Sequence, residues 1–179
     1  MKVTGPQIIS ALRERFPVTM GRHLYVVLGD YNQLAHFERL DLAAATKRDG
    51  QPFPAPINLN RQLLDRMEDA NLRRLVNDEA RLPQTVRNQL NLSLQSLLDH
   101  MLQAAPLLIV KQVELLFAYS LDLGILRTAA TNQHHLLLHL PGQVQSRRVV
   151  LFHEADARFH QVLPENLVAE NHLWELIDA

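Results

Sequence analysis

Short apolar runs that alternate with helical segments are the feature that most constrains the fold of this chain. Five runs have the length of buried strands, and they read HLYVVLG, PINLN, PLLIVKQVELLF, HHLLLHLPG and RRVVLFHEA. Between them, apolar residues recur at three- and four-residue spacings, as in amphipathic helices. This alternation predicts an α/β fold, with a mainly parallel sheet and helices on both faces.

The chain divides into predicted elements of one domain, residues 1–179. Thr4 is placed to cap a first helix, and Pro83 opens a long leucine-rich helix. Residues 46–56 contain glycine and three prolines, which predicts an exposed loop. Residues 165–179 are predicted to form an amphipathic C-terminal helix that carries Trp174.

Composition excludes several classes of function. The 179 residues include no cysteine, which excludes disulfides, iron–sulfur clusters and thiol catalysis. No apolar run reaches the roughly 18 residues of a membrane span, and charges interrupt the N-terminal apolar stretch. The net charge of −1 gives no electrostatic basis for general nucleic-acid binding. We therefore expect a cytoplasmic domain that does not contact a membrane.

The end of the first buried strand is where a phosphate site is expected, because ligands of parallel sheets lie at the carboxyl ends of strands. A phosphate loop requires the pattern G-x-x-x-x-G-K-[ST]. Gly29 ends the strand, but none of the three lysines follows a glycine anywhere in the chain. Asp30 would also bring a negative charge to the phosphate position. The phosphate-gripping motif is therefore missing.

The second half of such a site is an acidic residue that holds magnesium at the end of another buried strand. In LLIVKQVELLF, Lys111 and Gln112 occupy the expected positions, and Glu114 follows two residues later. A lone glutamate on an apolar segment is typical of a structural carboxylate. Because both halves are missing, we expect no nucleotide hydrolysis.

The order of these segments resembles the small P-loop proteins of type 3 BREX phage-defence systems, the BrxF-like proteins. The resemblance covers residues 20–160 and is carried by LYVVLG, INLNRQLLDRM, LLIVKQVELLF and HLLLHLPG. It implies a three-layer, P-loop NTPase-like fold and a role in prokaryotic antiviral defence. In this resemblance Gly29 matches the glycine that opens the phosphate loop. Lys111 stands where the family has its magnesium-organising aspartate, and Glu114 matches the acidic residue after it.

Three hypotheses of function follow. The first is a catalytically inert module, without ATP, magnesium or another cofactor, that binds other protein subunits of a defence complex or a second copy of itself. Arginine and tryptophan are enriched at binding hot spots, so the candidate contact residues are Arg73, Arg74, Arg147, Arg148 and Trp174.

The second hypothesis is a nucleotide-binding subunit with an atypical loop, in which ATP and magnesium are held by Gly29, Asp30, Asn32 and Glu114. Either Arg22 or Arg39 would then replace the missing lysine. The third hypothesis is a DNA-binding adaptor in which the four arginines named above contact phosphates, although the neutral overall charge argues against binding by this chain alone.

Histidines are the candidate metal ligands of this chain. Alternation along the strand predicted from HHLLLHLPG places His135 and His139 on one face and His134 on the opposite face. The spacing matches no known zinc motif, so no metal site is predicted. The histidines concerned are His134, His135, His139, His153 and His160. Two nearby acids, Glu154 and Asp156, are expected at a solvated edge or helix start.

Overall fold

The computed structural model describes residues 1–67 and 69–177, and for residues 69–72 it describes the backbone. The strands are β1 (Lys2–Val3), β2 (His23–Gly29), β3 (Ile57–Asn58), β4 (Leu107–Lys111), β5 (His135–Gln145), β6 (Arg148–Leu151), β7 (Gln161–Val162) and β8 (Leu173–Leu176). Their order across the sheet is β1-β8-β2-β5-β4-β3, and these neighbours pair in parallel. β5 runs past the edge of the parallel sheet, where β6 pairs with it in antiparallel fashion and β7 in turn pairs antiparallel with β6.

Helices connect the strands. They are α1 (Gly5–Arg15), α2 (Tyr31–His36), α3 (Leu59–Asp65), α4 (Asp69–Asp78), α5 (Pro83–Ala104), α6 (Glu114–Ala118) and α7 (Gly124–Ala129). α2 continues without a break into a π-helix, Phe37–Leu42. Two 3₁₀ turns, Ala157–Phe159 and Glu170–His172, lie near the C-terminus.

The core has two halves, because successive side chains of a strand point to opposite faces of the sheet. In β2, Leu24, Val26 and Leu28 pack under α3, α5, α6 and α7. Tyr25 and Val27 pack on the opposite face, under α1, α2 and the π-helix. The predicted α/β class is therefore confirmed, with a mainly parallel sheet and helices on both faces. These three layers are consistent with a P-loop-like fold.

The strand predicted from PLLIVKQVELLF is shorter than expected. β4 ends at Lys111, because Gln112 adopts a left-handed backbone with φ of 54° and α6 begins at Glu114. PINLN likewise contributes only the two residues of β3. Asn58 then caps α3, and its side-chain oxygen accepts a hydrogen bond of 2.9 Å from the Arg61 amide.

The predicted helix over residues 165–179 is wrong in its described part, residues 165–177, because Leu173–Leu176 form the strand β8 between β1 and β2. Residues 178–179 lie outside the described residues. Pairing on both sides satisfies the backbone of this segment, and tertiary context of this kind overrides helix propensity. The loop over 46–56 is confirmed as largely exposed, and Phe53 anchors it by packing into the core.

Candidate functional site

The carboxyl ends of β2, β4 and β5 bring most of the predicted site residues to one edge of the sheet. In the strand register, Gly29 lies beside Pro141, and Val110 lies beside Leu138. Lys111 on β4 and His139 on β5 therefore lie side by side on neighbouring strands, on the face covered by the π-helix. Asp30 begins the helix that leaves β2.

Backbone amides at the start of α2 donate hydrogen bonds to side chains of the protein itself. The Asp30 Oδ1 atom accepts a hydrogen bond of 2.7 Å from the Gln33 amide, and Gln33 Oε1 accepts one of 3.0 Å from the Asp30 amide. This reciprocal pair is a capping box. Glu154 Oε2 accepts a further hydrogen bond of 2.9 Å from the Tyr31 amide. Two carboxylates thus bind amides at the end of β2, where a phosphate loop would present its amides to a phosphate.

Close packing around the end of β2 explains why residue 29 is a glycine. A Cβ atom at this position would lie 3.2 Å from Gln33 Cβ and 3.2 Å from a methyl group of Leu176. The close approach of α2 and β8 to the end of β2 therefore favours glycine here without any role in phosphate binding.

Glu114 is held by α3. Asn60 Nδ2 donates a hydrogen bond of 2.7 Å to Glu114 Oε2, and Asn60 Oδ1 accepts one of 3.1 Å from the Leu115 amide. Burial, together with the negative charges of Glu114 and Glu154, raises the pKa of the Tyr31 phenol. Three carboxylates, counting that of Asp30, therefore lie around the first turn of α2. Their charges oppose the binding of a polyphosphate there.

Lys111 is engaged in a cluster that the sequence did not predict. Glu38, on the π-helix, forms an ion pair with Lys111, and its other oxygen lies 3.0 Å from Nδ1 of the buried His139. Burial alone would raise the pKa of Glu38, but His139 and Lys111 outweigh it, and the pKa is lowered overall. Lys111 therefore neutralises a protein carboxylate at the position that the resemblance assigned to an aspartate.

The remaining candidates for nucleotide binding do not form one site. Asn32 is exposed and lines a groove of about 500 Å³ with Asp30, His36 and Asp41, two of which are acidic. Arg39 lines a different groove, beside Lys111. Arg22 precedes β2, whose seven residues span about 20 Å. The suggestion that Arg22 replaces the phosphate-binding lysine is therefore wrong, because the two sites are at opposite ends of the strand.

The predicted partner-binding arginines are exposed and lie on two separate elements. Arg73 and Arg74 are on α4, where Arg74 pairs with Asp78 at 3.5 Å. Arg147 and Arg148 lie at the turn between β5 and β6, and Arg147 has a left-handed backbone with φ of 67°.

Trp174 does not belong with these surface residues. It is only 1% exposed, its ring stacks on Tyr25 at 5.7 Å, and the Arg15 guanidinium covers it at 5.7 Å. The prediction that Trp174 is a surface contact is therefore wrong, because the alternation of side chains along β8 directs this one into the core.

His135 and His139 share a face of β5, as expected, but His135 begins the strand and His139 lies four residues further along it. The His135 ring stacks on His23 at 4.2 Å. Burial, with smaller contributions from His23 and His134, lowers the pKa of His135 to about 4. His160 Nε2 lies 3.1 Å from the Ala155 carbonyl oxygen. Among the residues that the structure describes, no group of three or more His, Asp or Glu side chains is arranged to hold a metal ion.

The fold and the site define an α/β chain with a mainly parallel sheet, in which the strand β2 leads into a helix, α2, that is capped by the protein's own carboxylates. The sequence matches no protein-family model, and no curated protein and no solved structure shows significant similarity to it. Within residues 1–67 and 69–177, none of the helices has the length and apolar character needed to cross a membrane.

Proposed function

We propose that this chain is a catalytically inert P-loop-like module that binds other protein subunits in the cytoplasm, within a prokaryotic phage-defence complex. One observation carries the inert part of this proposal. Asp30 and Glu154 bond to the first amides of α2, at the position where a nucleotide phosphate would bind. The defence context is supported by the resemblance of the sequence to BrxF-like proteins.

Nucleotide binding at this edge would have to overcome several existing interactions. Hydrogen bonds to charged groups contribute about 1.5–3 kcal/mol each, and a phosphate would have to displace the carboxylates that now accept them. The displaced carboxylates would remain close to the phosphate and repel it. Lys111 would also have to leave Glu38, which would then remain beside His139 without its cation.

The protein-binding part of the proposal rests on the exposed arginines. Arginine's planar fork suits the recognition of acidic side chains at interfaces. Two exposed pairs of arginines are present. Arg73 and Arg74 lie on α4, and Arg147 and Arg148 lie at the turn between β5 and β6. The sheet would then serve as a rigid support for these surfaces.

Calorimetric titration with ATP, with and without Mg²⁺, tests the inert part. We expect no saturable heat for the wild-type chain. Saturable binding that is lost in Glu114→Gln would contradict the proposal and would favour the nucleotide-binding alternative. Titration with duplex DNA at two salt concentrations tests the DNA alternative, which requires affinity that falls steeply as salt rises.

Affinity capture from native cells, followed by quantification of the captured subunits, tests the partner-binding part. We expect the R73E/R74E or the R147E/R148E variant to lose a partner that the wild-type chain retains. Arg61→Glu is the matched control, because Arg61 is an exposed arginine on α3 that pairs with Asp65. Equal capture by all variants would contradict the assignment of these surfaces. Unchanged phage resistance of the host after deletion of the gene would contradict the defence role.

A further inference from the structure

A second groove, of about 660 Å³, opens between α5, the turn that joins α6 to α7, and the segment after β7. Its volume falls within the range of about 300–1,000 Å³ that is common for small-molecule sites. Arg87 on α5 and Arg127 on α7 both line it. None of the site residues discussed above belongs to this lining.

Both arginines are held in place by backbone carbonyls. Arg87 Nε donates a hydrogen bond of 2.6 Å to the Ser120 carbonyl oxygen, and Arg127 Nη1 donates one of 3.1 Å to that of Asn166. A guanidinium carries five N–H donors, so each arginine keeps most of its donors after this contact. In the described part of the chain, neither arginine forms an ion pair with an acidic side chain. Two fixed and unneutralised guanidinium groups therefore line one cavity.

The acid of this lining is already engaged. Asp122 Oδ1 accepts a hydrogen bond of 2.8 Å from the Gly124 amide, within its own turn. Asn91 Oδ1 accepts one of 2.9 Å from the Asp122 amide, so that the Asn91 side chain has its amide hydrogens left to donate. The described lining of the groove thus carries two positive charges, those of Arg87 and Arg127, against the one negative charge of Asp122, although the chain as a whole has a net charge of −1.

The groove also has an apolar wall and lies at the end of the sheet where ligands bind. Leu116, Phe117 and Val162 contribute apolar surface to it. Because α5 leads to the amino end of β4, its first turns, which carry Arg87, lie toward the carboxyl edge of the sheet. Ligands of open α/β sheets bind outside this edge. The groove lies on the layer opposite to α2, so it is separate from the capped start of that helix.

We propose that this groove binds a small molecule that carries an oxyanion, either a phosphate or a carboxylate, joined to an apolar group. The fork of each guanidinium is suited to hold two oxygen atoms of such a group. The apolar group packs against the wall formed by Phe117 and Val162. This inference does not rest on the proposed partner-binding function, because the groove residues differ from the exposed arginine pairs.

Nuclear magnetic resonance titration of the ¹⁵N-labelled protein, followed at the arginine Nε–H signals, provides a site-specific test. Phenyl phosphate, benzoate, inorganic phosphate and phenol serve as the probes. We expect phenyl phosphate or benzoate to shift the Arg87 and Arg127 signals in a saturable manner, and the tighter of the two identifies the oxyanion. Inorganic phosphate is expected to bind more weakly, and phenol is expected to produce no saturable shift.

Variants separate binding from structural support. We expect Arg87→Gln and Arg127→Gln each to weaken phenyl phosphate or benzoate binding about tenfold or more, because each removes a charge-assisted contact. Arg61→Gln is the control and is expected to bind as the wild type does. Since both arginines also bond to backbone carbonyls, Arg87→Lys and Arg127→Lys are made in parallel. These variants keep the charge but lose the fork, so they are expected to fold and to bind more weakly.

Two results would overturn the proposal. One is the absence of any saturable shift of the Arg87 and Arg127 signals in the wild-type protein with all four probes. The other is unchanged affinity in both folded single variants, Arg87→Lys and Arg127→Lys, each followed at the signal of the arginine that remains. This result would mean that both arginines only connect α5 and α7 to their neighbouring loops.

Discussion

At the carboxyl end of the central strands, charged side chains of this protein pair with one another, whereas at the amino end histidines pack as rings against aromatic side chains. The first region contains Glu38 between Lys111 and His139. In the second, the His135 ring stacks on His23, and the Tyr25 ring contacts the rings of both His172 and Trp174. Both regions lie on the face of the sheet that α1 and the π-helix cover.

The two regions respond to acid in different ways. At the carboxyl end, the ionised form of Glu38 is stabilised by its two partners, and its pKa is lowered. At the amino end, burial lowers the pKa of His23, His135 and His172, so their neutral forms are stabilised. One apolar face of the sheet therefore accommodates polar groups in two ways, either by pairing charges or by keeping titratable rings neutral.

The largest effect is expected from breaking the amino-end cluster at its largest side chain. Trp174→Ala should lower the free energy of unfolding by about 3–5 kcal/mol, because it removes a fully buried ring and leaves a cavity. Urea unfolding followed by circular dichroism measures this loss. Trp174→Phe is the control and should cost less, and a loss below about 1 kcal/mol in Trp174→Ala would contradict the packing described for β8.

The amino-end cluster should also make stability depend on pH. His135 has a folded pKa of about 4 and a reference value of 6.5, so the unfolded chain binds its proton first as the pH falls. The contribution of neutral His135 is therefore present above pH 6.5 and is lost as the pH falls from 6.5 to about 4. At about 1.4 kcal/mol per pKa unit, this loss is at most about 3–4 kcal/mol.

Urea unfolding at several pH values, in the wild type and in His135→Phe, isolates this contribution. The variant keeps an aromatic ring in the stack but cannot titrate, so its stability should depend less on pH in this window. His100→Gln is the matched control at an exposed histidine of α5. The same pH dependence in His135→Phe as in the wild type would assign the effect to other groups.

A smaller effect is expected at the carboxyl end. Glu38→Gln should cost about 1–3 kcal/mol, less than for a fully buried pair, because the Lys111 side chain is 36% exposed. In the wild type, Glu38 has a folded pKa below its usual 4.5, so its contribution is present above pH 4.5 and is lost at lower pH. Urea unfolding at pH 7 and pH 4 measures both effects.

The double variant E38Q/K111M sharpens this test. Removing both partners leaves no unpaired cation, so part of the stability lost in Glu38→Gln should return. A double variant that is less stable by the full sum of the two single losses would show that Glu38 and Lys111 do not interact.

The smallest effect is expected from removal of the α2 cap. Asp30→Ala should lower the free energy of unfolding by about 1 kcal/mol, whereas Asp30→Asn keeps an acceptor for the Gln33 amide and should cost less. Thermal unfolding of the two variants gives the difference. Equal stability of Asp30→Ala and the wild type would mean that the capping box contributes nothing to α2.

Local patterns in the sequence were enough for the class of fold and for part of the site. β2 and β5 were predicted correctly because strands covered on both faces are continuous apolar runs. The capping box at Asp30 could also have been read from the sequence, since an acceptor residue followed three residues later by Gln33 is its signature. β8 was missed because a four-residue strand and a helical stripe share the same short apolar pattern.

Glu38 and Glu154 left no comparable signal. Glu38 contacts a histidine 101 positions away, and Glu154 contacts an amide 123 positions away. Neither contact follows from spacing along the chain, because each depends on how a loop or helix is placed over the sheet. The π-helix also changes the direction of Glu38 relative to an α-helix of the same sequence.

The sequence by itself determined the alternation of strands and helices and the absence of both nucleotide-binding motifs. It also placed Gly29 and Asp30 at the end of the strand predicted from HLYVVLG. Apolar periodicity and missing residue types are local properties, so they can be read without coordinates. Only the tertiary structure decided that Lys111 pairs with Glu38, that Glu154 binds the start of α2 and that Trp174 is buried. Strand register and helix placement determine these contacts, because they join residues that are distant along the chain.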